Sequence, residues 1–220
     1  PPLPDGWHCE TAMVAAHDVG YAGDFMVARL DEARGQLEMV LVDVVGKGVA
    51  AGTDALQFAG ALGGLIGALP PVALVEAAND FLLRQDSDET FATAVHVLVD
   101  LRTGAYELHS AGHPPVLVWD HAERRWAPDS ARGTALGVQI RPELHHSTGV
   151  LAPGDGLLFY TDGVVERPRV DIDAGIEWLC STAATAVVDG FEGVSRRVLR
   201  KVPRGDDDRA VLVLHRLEGL

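Results

Sequence analysis

Four aspartates in this 220-residue chain each sit where an apolar run meets a sharp turn. They are Asp24 in YAGDFM, Asp43 in LEMVLVDVVGKG, Asp162 in GLLFYTDGVVE and Asp207 in GDDDRAVLVL. A carboxylate at a strand end is fixed by the sheet behind it yet faces water. If the strands that carry them are neighbours, several negative charges converge, and they stay ionised together only around a cation. Oxygen-only ligands favour a hard ion, Mg²⁺ or Mn²⁺, over Zn²⁺. Taken singly, each has a plainer reading. Asp43 caps a strand before a glycine turn, Asp162 is half of an Asp-Gly turn, and Asp206-Asp207-Asp208 is a solvated acidic loop.

Other chemistries find less support. The VVGKGVAAG segment is not a phosphate loop, because Val49 follows Gly48 and no G-x-x-x-x-G-K-[ST] pattern exists. Neither H-E-x-x-H nor G-x-S-x-G occurs, which disfavours zinc and serine hydrolysis. His113 in AGHPP precedes two prolines that stiffen a strand exit; a catalytic role and a structural turn are both open, and the turn reading is favoured. Cys9 and Cys180 stand far apart without metal-ligand spacing, and so low a cysteine count fits a reducing compartment, the cytoplasm. A net charge of −14 argues against a nucleic-acid partner. The most apolar stretch, 55–69, is shorter than the roughly 20 residues that span a bilayer and carries Gln57, so it reads as a buried helix without membrane insertion.

The elements that must position these residues follow from periodicity and turn chemistry. Residues 7–17 read as a strand, and 24–30 with 37–42 as a hairpin around DEARG. A helix over 49–69 contains Gly52, Gly60, Gly63, Gly64 and Gly67, each costing about 1 kcal/mol relative to alanine. Pro70-Pro71 ends it and starts a helix over 72–84 with Val72, Val75, Ala78 and Leu82 as its apolar face. Strands follow over 91–100, 105–110, 116–119, 145–150 and 156–160, then helices over 172–188 and 191–202, then a last strand over 210–214. Short connections between consecutive strands imply antiparallel sheets. The expectation is one α+β domain over residues 1–220, with two helical layers and strands enough for two sheets.

The order DGW, AGDF, VDVVGKG, FATAVHVLVD, AGHPPVLVW, GTALGV, LAPGDGLLFYTDGVVE and DDRAVLVL covers nearly the whole chain. It resembles the bacterial SpoIIE-type (RsbU-like) branch of the PPM, protein phosphatase 2C-like, metal-dependent serine/threonine phosphatases. The resemblance implies a four-layer α-β-β-α sandwich, two antiparallel sheets flanked by helix pairs. It implies two Mn²⁺ or Mg²⁺ ions and room for a third, with Asp43 bridging, the Val44 carbonyl on one ion, Asp162 and Asp207 on the other, and Asp24 acting mainly through metal-bound water or a further ion. No catalytic residue beyond that water is implied, and Lys47 is a candidate for substrate phosphate. The pattern departs at Ala22, at Val45 (where a Ser is common) and at Ala210 (where a Thr is common) without removing a carboxylate. Val45 also stands where eukaryotic members carry a His, which leaves the general acid unidentified.

The implied activity is hydrolysis of phosphoserine or phosphothreonine on a phosphorylated STAS-domain protein in sigma-factor signalling. The alternatives are a phosphatase-like binding module and a small-molecule phosphatase. The opening PPLPDGW fits the end of a linker from an upstream sensory domain in a longer chain. The glycine-weakened helix over 49–69 begins directly after the Asp43 loop, which makes it a candidate regulatory element, the alternative being that its small residues permit close packing on the sheet; the 49–84 helices are a candidate homodimer surface.

Overall fold

The computed structural model describes residues 2–14, 23–45, 49–85, 91–167, 169–203, 205 and 207–219, with only the backbone for 49–51. They form two compact units, each built on its own antiparallel sheet. Every strand pair in both sheets is antiparallel. The α+β class, two antiparallel sheets each flanked by two helices, is therefore as expected.

The first unit is led by the hairpin of β2 (Asp24–Asp31) and β3 (Gln36–Val44). Its DEARG turn is locked by Asp31, whose carboxylate accepts from the Arg34 amide, and by Gly35 at a φ of 66°. A left-handed residue there needs glycine. β4 (Ala92–Asp100), β5 (Ala105–Ala111), β9 (Leu144–Val150) and the two-residue β8 (Arg132–Gly133) complete the order β2-β3-β4-β5-β9-β8. β3 is buried over nearly its whole length, which explains why its sequence is almost continuously apolar. Val40, Val42 and Val44 project to one face and pack with the helices α1 (Val49–Leu65) and α2 (Pro71–Leu83).

Two details of those helices differ from expectation. α1 stops at Leu65, because the chain turns and Gly67 takes a φ of 72°. On α2 the buried set is Leu74, Val75, Ala78, Asn79 and Leu82, whereas Val72 is 45% exposed. Leu74 fits the 3–4 spacing to Ala78 better than Val72 does, and the helix rotates accordingly. Buried Asn79 satisfies itself on a loop, donating to the Gln139 carbonyl and accepting from the Gly137 amide.

The second unit holds β1 (Trp7–Val14), β6 (Leu117–Asp120), β7 (Arg125–Pro128), β10 (Gly156–Tyr160) and β11 (Arg209–Arg216) in the order β1-β11-β10-β6-β7. β7 was not foreseen. It is four residues long, lies at a sheet edge, and pairs with β6 across a charged turn in which Arg124 takes a φ of 52°. The helices α3 (Ile172–Val187) and α4 (Val194–Leu199) bury Ile176, Leu179, Ala183, Val194 and Val198 with Trp119, Trp126 and Phe191. α4 is shorter than the 191–202 expected, since it starts after Gly193 at a φ of 77°. Its first amides, those of Gly193 and Ser195, donate to the Glu10 carboxylate, each at 2.6 Å.

Candidate metal centre

Asp24 and Asp43 lie directly opposite each other on β2 and β3. The preceding pair is closed by the Val44 amide donating to the Gly23 carbonyl at 3.4 Å. Ladder bonds alternate, so Asp24 and Asp43 form a non-hydrogen-bonded pair, the kind whose side chains stand closest, with Cα atoms about 4.5 Å apart. Asp24 is buried, at 6% exposure, and Asp43 half-buried. Like charges in direct opposition destabilise a sheet unless something positive joins them.

The Val44 carbonyl is beside this pair. A Cβ on Gly23 would come within 2.8 Å of that oxygen, so the close approach of the two strands there requires glycine at 23. Thr93 stands opposite Asp43 on the other side of β3, and its hydroxyl lies 2.8 Å from His113 Nδ1. His113 is buried, its carbonyl accepts from Ser110, and a Cβ on the adjoining Gly112 would strike the Ala135 backbone. AGHPP is thus a packed structural turn.

Asp162 and Asp207 form a second pair in the other unit. Asp162 opens a short 3-10 turn at the end of β10, and its carbonyl accepts from the Val165 and Glu166 amides. The strand end is clamped to β11 twice: Thr161 N donates to the Ala210 carbonyl, and Ala210 N donates to Thr161 Oγ1. This brings the start of β11 so close that a Cβ on Gly163 would clash with the Asp208 carbonyl and lie 3.2 Å from Asp207 Cβ. Gly163 is required by that approach. Asp207 is exposed, and its Oδ1 accepts from the Asp208 amide.

The residues therefore come together as Asp24 with Asp43 and Val44, and as Asp162 with Asp207. Among the described residues no three His, Cys, Asp or Glu side chains are grouped as a metal cage. Lys47 lies outside the described residues. Sequence reasoning missed Thr161 and the role of Gly23, although each directly precedes a candidate carboxylate. The donor set suits a hard cation: each pair offers only oxygen, and the Asp24–Asp43 opposition is relieved by one. The cysteines fit no nucleophilic role. Burial pushes the Cys9 thiol up to about 11 and also raises that of Cys180.

Two antiparallel sheets with a helix pair each match the PP2C-type fold of the solved phosphatase structures to which the chain is similar. The family model for stage II sporulation protein E (SpoIIE) matches residues 33–217, and the chain belongs to that family. Among solved structures it is similar to the RsbU and RsbW domains of Rv1364c from Mycobacterium tuberculosis, with a TM-score of 0.83 and 27% identity over 96% of this chain. It spans 62% of that chain. The PP2C phosphatase domain with a regulatory fragment of SpoIIE from Bacillus subtilis gives a TM-score of 0.79 at 18% identity, over 94% of this chain and 63% of that one. RsbX in complex with magnesium gives 0.73 at 13%, over 97% and 96%. The last two likenesses concern the fold.

Proposed function

We propose that the chain is a single catalytic domain that hydrolyses phosphoserine and phosphothreonine on a protein, with Mn²⁺ or Mg²⁺ held by Asp24, Asp43, the Val44 carbonyl, Asp162 and Asp207. The observation that carries this reading is the direct opposition of Asp24 and Asp43 at neighbouring strand ends, with Asp24 buried. Family membership and the magnesium of RsbX support the hard-ion assignment. When bound, a pair of such ions supplies activation of water and offsets charge on the phosphoryl oxygens during in-line attack.

The chain's own part is positioning. β3 is buried along its length and holds Asp43 on a stiff element, with Asp24 in register on its neighbour. The Thr161–Ala210 clamp fixes the backbone that carries Asp162 and Asp207. Neither cysteine supplies a covalent nucleophile, and His113 is engaged with Thr93 and Ser110. That inventory supports water, not an enzyme thiol or this histidine, as the attacking group in the proposed reaction.

The likeness to the RsbU and RsbW domains of the Mycobacterium protein supports a place in sigma-factor signalling, and the substrate we propose there is a phosphorylated STAS-domain protein. An upstream sensory domain and a cytoplasmic location belong to the same reading; no helix among the described residues is long and apolar enough to cross a membrane. The exposed Leu56, Val72 and Leu83 on the 49–84 helices support a homodimer surface there. The test is hydrolysis of p-nitrophenyl phosphate and of a phosphorylated STAS protein, with Mn²⁺ and with chelator. Turnover of both, dependent on Mn²⁺ and lost in Asp43→Asn, is expected. No turnover of either substrate sinks the enzyme reading, and turnover of the small ester alone sinks the protein substrate.

A further inference from the structure

We propose that the groove between β1, β11 and α4 is a docking site for an acidic, partly apolar, extended segment of a partner protein. The site is separate from the phosphatase reading and does not depend on turnover.

The groove has a volume of about 800 Å³ and is lined by Arg196, Arg197, Arg200 and Arg209 together with Ala12, Met13, Val14, Leu199 and Val202. Among the described residues no Asp or Glu lines it. The whole chain carries 32 acidic and only 18 basic residues, so four arginines around one groove are a local reversal of its field. A partner with carboxylates is drawn there and repelled elsewhere.

The arginines divide by role. Arg197 spends Nε, Nη1 and Nη2 on the carbonyls of Ala186, Glu192 and Gly190, and so builds the wall. Arg209 is only 8% exposed, donates Nη1 to the Pro203 carbonyl at 2.9 Å, and keeps a buried Nε that has no hydrogen-bond partner. A buried cationic donor left unmatched is costly, and an incoming carboxylate satisfies it with a charge-assisted bond. Arg196 and Arg200 are exposed and one helical turn apart, as the Arg200 amide donates to the Arg196 carbonyl.

That spacing selects the shape of the ligand. Four residues of helix rise about 6 Å, and alternate side chains of an extended chain repeat every 6.6 to 6.8 Å or so. Glutamates at every second position of a strand thus meet Arg196 and Arg200 in turn. β1 is the outermost strand of its sheet, and Met13 and Val14, each 44% exposed, add apolar surface at its end, one on each face. Strand addition to such an edge is a common mode of peptide capture. The apolar floor and strand edge favour a peptide over a lipid headgroup.

The test uses the whole chain and a fluorescein-labelled dodecapeptide alternating Glu and Leu, read by anisotropy, with the Lys-Leu peptide as control. Expected is selective binding of the Glu-Leu peptide, weakened about tenfold or more by Arg196→Glu with Arg200→Glu. The pair Arg84→Glu with Arg141→Glu, which changes net charge equally, leaves binding within about twofold. Equal weakening by both pairs overturns the proposal. So does displacement by equimolar inorganic phosphate, which means a simple anion site. So does Arg196- and Arg200-dependent binding to phosphatidylserine vesicles with none to the peptide, which means a membrane surface. Melting curves of each variant confirm folding. Ester hydrolysis measured on the same samples keeps the two readings apart: peptide binding without turnover removes the enzyme and leaves the groove.

Discussion

Asp43→Asn separates the metal from the fold. The two carboxylates of the Asp24–Asp43 pair are side by side in a non-hydrogen-bonded register, with Asp24 buried and Asp43 half-buried. Two unit charges about 5 Å apart at an effective dielectric of about 20 repel by about 3 kcal/mol. Exposed like-charged cross-strand pairs cost nearer 1 kcal/mol or less. The half-buried Asp43 puts this pair between the two limits. Asn keeps the volume and removes the charge. Metal-free Asp43→Asn should therefore be about 1 to 3 kcal/mol more stable than the parent in urea unfolding. With Mn²⁺ at about a hundred times its dissociation constant the parent should gain about 2.7 kcal/mol, and the variant should gain much less. Phosphatase turnover should fall by about three orders of magnitude or more, the loss of roughly 4 kcal/mol of transition-state stabilisation. The reasoning is refuted if the metal-free variant is the less stable of the two, or if Mn²⁺ stabilises both equally.

Three further outcomes are expected. Gly60, Gly63 and Gly64 are exposed on α1 and a Cβ at each would meet nothing within 4 Å, so replacing all three with Ala should raise stability by up to about 3 kcal/mol in denaturant melts. Gly163→Ala should lower stability by about 2 kcal/mol or more and weaken Mn²⁺ binding by calorimetry, because its Cβ collides with the Asp208 carbonyl that frames Asp207. Burial, with His8 and His121 nearby, lowers the His215 pKa from 6.5 to about 4. The unfolded chain then takes up a proton that the folded chain refuses, so stability present above pH 6.5 is lost as pH falls towards 4, by up to about 3 kcal/mol. In His215→Phe, which retains a ring to stack on Phe191, that part of the pH dependence should vanish from melting curves.

The sequence by itself determined the elements whose signals are local. The strand over Gln36–Val44 is legible because burial on both faces demands a nearly continuous apolar run, and α2 because Pro71 fits the first helical position. The candidate carboxylates are legible too, each placed where such a run breaks into a turn. β7 escaped because four residues at an edge, ending in Pro128, carry too little pattern. The end of α1 escaped because apolar residues continue to Leu69, while the backbone turns at Gly67.

Only tertiary structure decided which residues meet. Strand register set Asp24 against Asp43, since a slip of one residue would turn one of the two to the opposite face. It gave Gly163 its reason, which is the close approach of Asp208 and not a special φ. It also showed that the exposed glycines of α1 are not there for close packing on the sheet. The basic groove draws on residues 12–14 and 193–209, and a stretch of arginines in sequence cannot reveal which of them are tied to carbonyls and which face a cavity. Local chemistry is written along the chain, whereas convergence depends on long-range pairing that no short window of sequence contains.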